Sequence, residues 1–228
     1  TDMNYDFDGF LPMTHYTIHV APLCGGDSVF SSVEVTTPCV PITTLPLTED
    51  FENFTATSSY GSPTTQCWHR TTNYTSSYYP YIQTSYAHSG VRSLYFYSYS
   101  SSYSSLVLPE LDFPLDTLQI SFAAYKTSAN YYIVVGAMTD PDDFNTFVPI
   151  DTVSPADLNN WEMFEVPLRN YTGNGHHIAL ASYGSSANYM YIDDITVEYI
   201  PSCPRPRDIE IRNILTANLS VFSLGKIG

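Results

Sequence analysis

The sequence predicts an all-β protein, an antiparallel β-sandwich of jelly-roll type, and three observations carry that expectation. Short runs in which apolar and polar residues alternate recur along the chain, separated by clusters of Gly, Pro, Asn and Ser. Alternation of period two marks a strand with one buried face. No stretch keeps apolar residues at i, i+3, i+4 and i+7 for three turns, so helices should be rare. Polarity is supplied by Ser, Thr, Asn and 20 Tyr, and only 14% of the 228 residues are charged. That palette favours strands over helices, while 43% hydrophobic residues leave ample material for a core.

The elements follow in order. Tyr16, Ile18 and Val20 alternate with Thr17, His19 and Ala21; Gly25-Gly26-Asp27 turns the chain, and Val33 and Val35 alternate back, which makes a β-hairpin. A Pro-rich stretch, Pro38 to Pro46, then breaks the pattern. The segment from Leu45 to Ile200 is long enough for one complete sandwich. Strands are expected over Thr48–Phe54, Ser93–Tyr99, Ser104–Leu108, Thr117–Tyr125, Tyr131–Met138, Trp161–Leu168, His176–Tyr183 and Tyr189–Tyr199. Eight or more short strands with long loops suit two stacked sheets. A second Pro-rich break, Pro201 to Pro206, precedes a short alternating run from Asp208 to Ile211.

Charge and hydropathy narrow the function. Twenty-three acidic residues against eight basic ones leave a net charge of -15. Nucleic acid is therefore not an expected partner, because binding phosphates needs clustered Lys and Arg. Anionic lipid is disfavoured for the same reason. The longest apolar runs, such as Tyr131 to Met138, are under half the length of a spanning helix, so no membrane insertion is expected. The chain opens without a charged-then-apolar leader and is read as a segment of a longer polypeptide. Four Cys with no CxxC pair point to bridges in an oxidising compartment, secreted or cell-surface. Cys24 sits at the turn of the hairpin and Cys39 beyond its far end, about 30 Å away at ~3.3 Å per residue, too far for a bond that needs Cα atoms within about 7 Å. Cys39–Cys67, tying the entry linker to the loop at Trp68, is preferred, and Cys67–Cys203 is the competing pair.

Two family resemblances bear on these elements. Leu11-Pro12-Met13-Thr14-His15-Tyr16 ahead of the hairpin resembles the approach to the penultimate strand of a fibronectin type III module. Residues 1–39 then read as the end of one such module and residues 201–228 as the start of another. Between them, residues 40–200 carry an ordered series: Thr48-Glu49-Asp50-Phe51-Glu52, Cys67-Trp68, Ser89-Gly90-Val91-Arg92-Ser93-Leu94 and Leu106-Val107-Leu108-Pro109. Val135-Gly136-Ala137-Met138-Thr139-Asp140-Pro141, Phe147-Val148-Pro149-Ile150, Trp161, Tyr171-Thr172-Gly173 and Tyr191-Ile192-Asp193-Asp194-Ile195 complete it. The series resembles the cleaved adhesin domain, a MAM-like, concanavalin-like jelly roll of gingipain-type haemagglutinins and of bacterial surface proteins that alternate it with fibronectin type III modules. The resemblance implies a non-catalytic adhesion or carbohydrate-recognition module that binds glycan or host matrix protein and carries structural calcium (Ca2+). Neighbouring modules of the same polypeptide would be its other partners. The rival readings are a structural spacer in a surface stalk and a targeting appendage of a secreted hydrolase.

Candidate calcium ligands are Asp50, Glu52, Asp193 and Asp194. Calcium takes six to eight oxygens from carboxylates and carbonyls. On a continuous strand Asp50 and Glu52 share a face while Phe51 points to the core. Ile192, Ile195 and Val197 cannot all face inward along an unbroken strand, so a bulge is expected at Asp193-Asp194, where it would re-aim the acids. The resemblance places both segments beside the His88-Ser89-Gly90 loop in the family's calcium site. The competing reading makes these acids solvated strand residues. Asp140, Asp142 and Asp143 lack the spacing of a dedicated calcium loop and read as a turn.

Candidate ligand-binding residues are Tyr74, Tyr78, Tyr79, Tyr81, Tyr97 and Tyr99. Leu94 and Phe96 alternate with Tyr95 and Tyr97, so one face of that strand is core and the other tyrosine. Tyrosine gives rigid contact area with a hydroxyl handle, suited to sugars or proteins, and serves equally as cover for a sandwich's outer surface. Enzymatic chemistry is not expected. The chain has no G-x-S-x-G elbow and no H-E-x-x-H, and His176 and His177, adjacent on a strand, point to opposite faces.

Overall fold

The computed structural model describes residues 9–10, 14–20, 31–54, 67–74, 79–184 and 186–201. Cys24, Cys203, Tyr78 and the downstream module expected after residue 201 lie outside that set. Thirteen strands are described. They are β1 (His15–Val20), β2 (Ser31–Thr36), β3 (Leu47–Glu49), β4 (His69–Thr72), β5 (Tyr81–Gln83), β6 (Ser93–Ser98) and β7 (Tyr103–Val107). After them come β8 (Leu118–Lys126), β9 (Ile133–Met138), β10 (Val148–Val153), β11 (Trp161–Pro167), β12 (His177–Tyr183) and β13 (Asn188–Tyr199). The described helix is confined to two single 3-10 turns, Leu115–Thr117 and Phe144–Thr146.

Strands β1 and β2 form the expected antiparallel hairpin, with Tyr16 opposite Val35 and Ile18 opposite Val33. The remaining strands build two sheets. One runs in the order β10-β9-β12-β7-β4, the other β11-β8-β13-β6-β5 with β3 added against β13, and every strand pairing is antiparallel. Their inner faces meet in one core containing Leu94, Phe96, Phe122, Ile133, Leu180 and Ile192. Period-two alternation explains it: Leu94 and Phe96 are fully buried, and Tyr95 and Tyr97 take the opposite face.

Three strands escaped the sequence pattern for identifiable reasons. β4 (His-Arg-Thr-Thr) carries no apolar residue, and β5 is only three residues long. β10 contains Pro149 beside a register shift, which is tolerated because β10 is an edge strand. β3 corrects the expectation of a strand through Phe54. Pairing stops at Glu49, and Phe51 turns into the left-handed region at φ 60°. Asp50 and Glu52 therefore do not share a strand face, although Phe51 is fully buried as expected.

The long strand β13 organises the six-stranded sheet. One edge pairs with β8 from Met190 to Asp193 and from Thr196 to Tyr199, while the other is shared by β6, opposite Asn188 to Ile192, and β3, opposite Ile195 to Val197. The register shifts between Asp193 and Thr196, and Asp194 adopts φ 50°. This bulge lets Ile192, Ile195 and Val197 all turn inward, each essentially inaccessible. It falls where β6 and β3 leave the shared edge open, and the 88–92 loop fills the gap.

The entry linker is fastened to the sandwich. Cys39 and Cys67 are bonded, with Cα atoms 5.6 Å apart. Ile42 donates its N–H to the Glu110 carbonyl at 2.7 Å and accepts from the Asp112 N–H at 3.0 Å.

Candidate functional site

Two features stand out: the corner where the bulge meets the 88–92 loop, and the outer face of the six-stranded sheet. At the corner, the structure assembles the segments that the sequence grouped, but it divides the four candidate calcium ligands. Asp193 is fully buried. Its Oδ2 accepts the backbone N–H groups of His88 at 2.8 Å and Ser89 at 3.2 Å, and its Oδ1 accepts that of Asp194 at 2.8 Å. Burial pushes its carboxyl up to about 6, with those three N–H donors opposing the shift. Glu52 is equally engaged. Its Oε1 accepts the N–H groups of Val91 and Arg92 at 2.8 and 2.7 Å, and its Oε2 faces the Arg92 guanidinium at 3.2 Å. Gly90, at φ 56°, stands so close that a Cβ there would strike the Glu52 carboxylate. Asp193 and Glu52 thus hold the loop from its two sides through charge-assisted bonds.

Asp50 and Asp194 are placed differently. Asp194 accepts from the Ser89 hydroxyl at 2.6 Å and pairs with the His88 ring at 2.5 Å. Both residues border a polar hollow of about 340 Å³ lined also by Thr48, Glu49, Asn53 and Thr196. Burial raises the Glu49 pKa above the ordinary carboxylate value. This lining offers carboxylate, amide and hydroxyl oxygens, the donors a hard cation takes. Among the described residues, no three acidic, His or Cys side chains stand in ligating geometry. The fit is thus one of donor chemistry at the hollow, which Asp50 and Asp194 line and Glu52 and Asp193 do not.

The second feature is aromatic. Trp161 lies opposite Tyr125, Tyr125 opposite Tyr191, Tyr191 opposite Tyr95, and Tyr95 opposite Tyr81. Five adjacent strands, β11, β8, β13, β6 and β5, therefore each contribute one ring to a single row across the sheet. Neighbouring centroids are 5.4, 5.6, 4.7 and 5.3 Å apart. A second row lies beside it: Tyr189 is opposite Tyr97, with Tyr131 5.1 Å from Tyr189 and Tyr74 4.9 Å from Tyr97. Tyr79 touches both rows, 5.0 Å from Tyr97 and 5.4 Å from Tyr81. Burial first, then neighbouring phenols, push Tyr191 up to about 12 and raise Tyr95 further. Tyr97 is raised mainly by its hydrogen bond with Tyr74. These hydroxyls stay protonated at neutral pH and remain able to donate.

Of the tyrosines singled out from sequence, Tyr74, Tyr79, Tyr81 and Tyr97 meet in this cluster. Tyr99 does not join β6; it is half-exposed at the turn into β7. Tyr78 lies outside the described residues. Sequence reasoning missed Trp161, Tyr125, Tyr131, Tyr189 and Tyr191 as site residues, because only the register between strands brings them together. The period-two outward positions of β8 and β13 were the available signal. The Asp140–Asp143 segment is the expected turn: Asp143 caps the Phe144–Thr146 turn by accepting the Asn145 N–H, and Asp140 accepts from the Asp142 N–H. His176 is exposed and His177 buried, its Nδ1 2.9 Å from the Leu108 carbonyl.

Comparison with solved structures identifies the kind of fold. The K2 cleaved adhesin domain of Lys-gingipain superposes with a TM-score of 0.52 at 13% identity, over 68% of this chain and 99% of that domain. The K3 cleaved adhesin domain of Lys-gingipain from Porphyromonas gingivalis W83 gives 0.49 at 18% identity, over 67% and 97%. The xylan-binding CBM22-1 domain of Xyn10C from Paenibacillus barcinonensis gives 0.44 at 15% identity, over 69% and 95%. No family model and no curated protein matches the sequence. The chain thus has the antiparallel β-sandwich, jelly-roll fold of the K2 domain, and at these identities the likeness extends to the fold alone.

Proposed function

We propose that this chain is a non-catalytic adhesion module, secreted or on a cell surface, that holds a glycan or an extracellular protein on the aromatic face of its six-stranded sheet. The observation that carries the reading is the registered aromatic row from Trp161 to Tyr81, in which Trp161, Tyr191, Tyr95 and Tyr81 are partly exposed while Tyr125 is buried beneath the exposed Tyr86 ring. Aromatic rings with hydroxyl tips are the side chains that supply most contact area at recognition surfaces. The similar K2 fold belongs to an adhesin domain, and the Cys39–Cys67 bond suits an oxidising exterior. Calcium enters the proposal in a structural role only. Of the candidate ligands, Asp50 and Asp194 border the hollow, where the hydroxyl and amide oxygens of Thr48, Asn53 and Thr196 would complete the set, joining the end of β3 to the β13 bulge.

A screen of the full chain on immobilised glycans and matrix proteins tests the binding role. Signal above background that falls in a Tyr81→Ala variant is the expected result; no signal on either class would leave the spacer reading. That second reading has its own support in the linker, which is fastened by a covalent and two backbone bonds and would transmit orientation along a stalk.

A further inference from the structure

We infer that a groove at the linker end of the sandwich seats the chain's own exit segment, Ser202-Cys203-Pro204-Arg205-Pro206-Arg207, as an extended, polyproline-like run. The groove consists of two neighbouring hollows. One, of about 230 Å³, lies between Phe113-Pro114 and the 171–176 turn; the other, of about 430 Å³, lies between that turn and the start of β10 at Val148 to Ile150. Tyr171, Thr172 and Gly173 border both, so the turn is their shared wall. That wall is rigid. Tyr171 is buried, its hydroxyl accepts the Gly175 N–H at 2.7 Å, and a Cβ at either Gly173 or Gly175 would strike the phenol. The hollows are therefore formed before anything enters them.

Anchoring chooses the occupant. Ile200 donates its N–H to the Thr117 carbonyl at 2.9 Å, next to Asp116 of the first hollow. The Arg169 guanidinium stands 3.5 Å from the Pro201 carbonyl, next to Asn170 of the second. The Tyr199 ring meets Phe113 edge-on, with centroids 5.7 Å apart. The chain thus reaches Pro201 at the rim of both hollows, and the six residues that follow are delivered there at high effective concentration. At ~3.1 Å per residue in the polyproline form they span about 19 Å, more than the combined width of two hollows of these volumes.

Composition and charge fit that segment to the groove. Pro204 and Pro206 fix their own φ near the polyproline value and steer Cys203 and Arg205 away from helix, so little ordering entropy is lost on docking. Proline rings pack on aromatic and aliphatic walls of the kind that Phe113, Pro149 and Ile150 supply. Arg205 and Arg207 belong to a biased tail: four of the chain's eight Lys and Arg residues lie beyond Pro201, against two of its 23 Asp and Glu. The connection from β7 to β8, which walls the first hollow, is the opposite, with Glu110, Asp112 and Asp116 all exposed. The entry linker is tied to that same connection through Ile42. Both linkers therefore leave from one end of the sandwich, and seating the exit in the groove fixes the direction in which the chain continues.

The test uses the full chain. Trypsin should cut after Arg207 about tenfold more slowly in the unmodified protein than in a Pro204→Ser, Pro206→Ser double variant, read by mass at that bond alone, since cleavage follows the undocked fraction. Both substitutions lie outside the sandwich, so its melting temperature should not move. Asp116→Asn, at an exposed position, should raise cleavage up to about fivefold, the range of one surface ion pair. Nuclear Overhauser contacts from the Pro204 and Pro206 rings to Phe113 or Ile150 should locate the segment. Equal cleavage of the unmodified protein and the double variant, with no such contacts, would overturn the inference. Contacts seen only between differently labelled molecules in a mixed sample would overturn it in favour of a second copy as the source of the occupant.

Discussion

At the scale of single residues, the corner at the β13 bulge shows how one sequence phrase is divided between two tasks. Asp193 and Asp194 are adjacent, yet the φ of 50° at Asp194 sends their carboxylates to different places. Asp193 turns inward to collect three N–H groups, and Asp194 turns to the hollow beside Asp50 and Glu49. If calcium occupies that hollow, the ion binds the native state and not the unfolded one, so it stabilises by mass action. Free calcium at a hundred times its dissociation constant should add about 2.7 kcal/mol. Melting curves in calcium and in chelator should therefore separate, and Asp194→Ala should abolish the separation. Superimposable curves for the unmodified protein would remove calcium from the proposed function. Asp193→Ala serves as the contrast. It strands buried donors, so it should destabilise the fold with or without calcium.

At the scale of elements, the strands behave as their alternation requires, and the row of rings is what the sheet adds to them. Packing the phenols together has a consequence in alkali. The pKa of Tyr191 is raised to about 12, and those of Tyr95 and Tyr97 are raised in the same direction. A group whose pKa is higher folded than unfolded contributes stability that is complete below its unfolded value, about 10 for tyrosine, and is lost as pH climbs toward the folded value. The melting temperature should accordingly fall between pH 10 and 12. Phenolate absorbance should show a late-titrating class of tyrosines that disappears in denaturant. A titration in which every tyrosine ionises at the ordinary value would contradict the packed row. The same row marks the limit of reading the sequence. Leu94 and Phe96 announce that Tyr95 and Tyr97 share an outer face, and the parity break from Ile192 to Ile195 announces the bulge, because both are local periodicities. Nothing local pairs Trp161 with Tyr125, or Tyr125 with Tyr191, since strand neighbours are set by packing over long separations. The end of β3 at Glu49 was hidden for a related reason: Phe51 reaches the core from a left-handed turn as readily as from a strand.

At the scale of the molecule, the sandwich and its entry linker are joined at two places, and the two ties can be separated. One is the backbone exchange at Ile42 with Glu110 and Asp112; the other is the Cys39–Cys67 bond, which closes a sequence separation of 28 residues. The second tie has a size that follows from chain statistics alone. Closing a loop of that length removes unfolded-state entropy equivalent to about 3.5 kcal/mol in the loop-closure account. Its removal should act on stability and spare the recognition face, because Trp68, beside Cys67, packs against Phe51 in the core and not against the tyrosine rows. Chemical denaturation of a Cys39→Ser, Cys67→Ser double variant should show its midpoint lowered in proportion, with binding at the aromatic face unchanged in denaturant-free buffer. Equal midpoints for the double variant and the bonded protein would mean that the backbone exchange at Ile42 alone keeps the linker in place. A loss of binding with an unchanged midpoint would mean that the linker, and not the outer face of the six-stranded sheet, shapes the surface that meets the ligand.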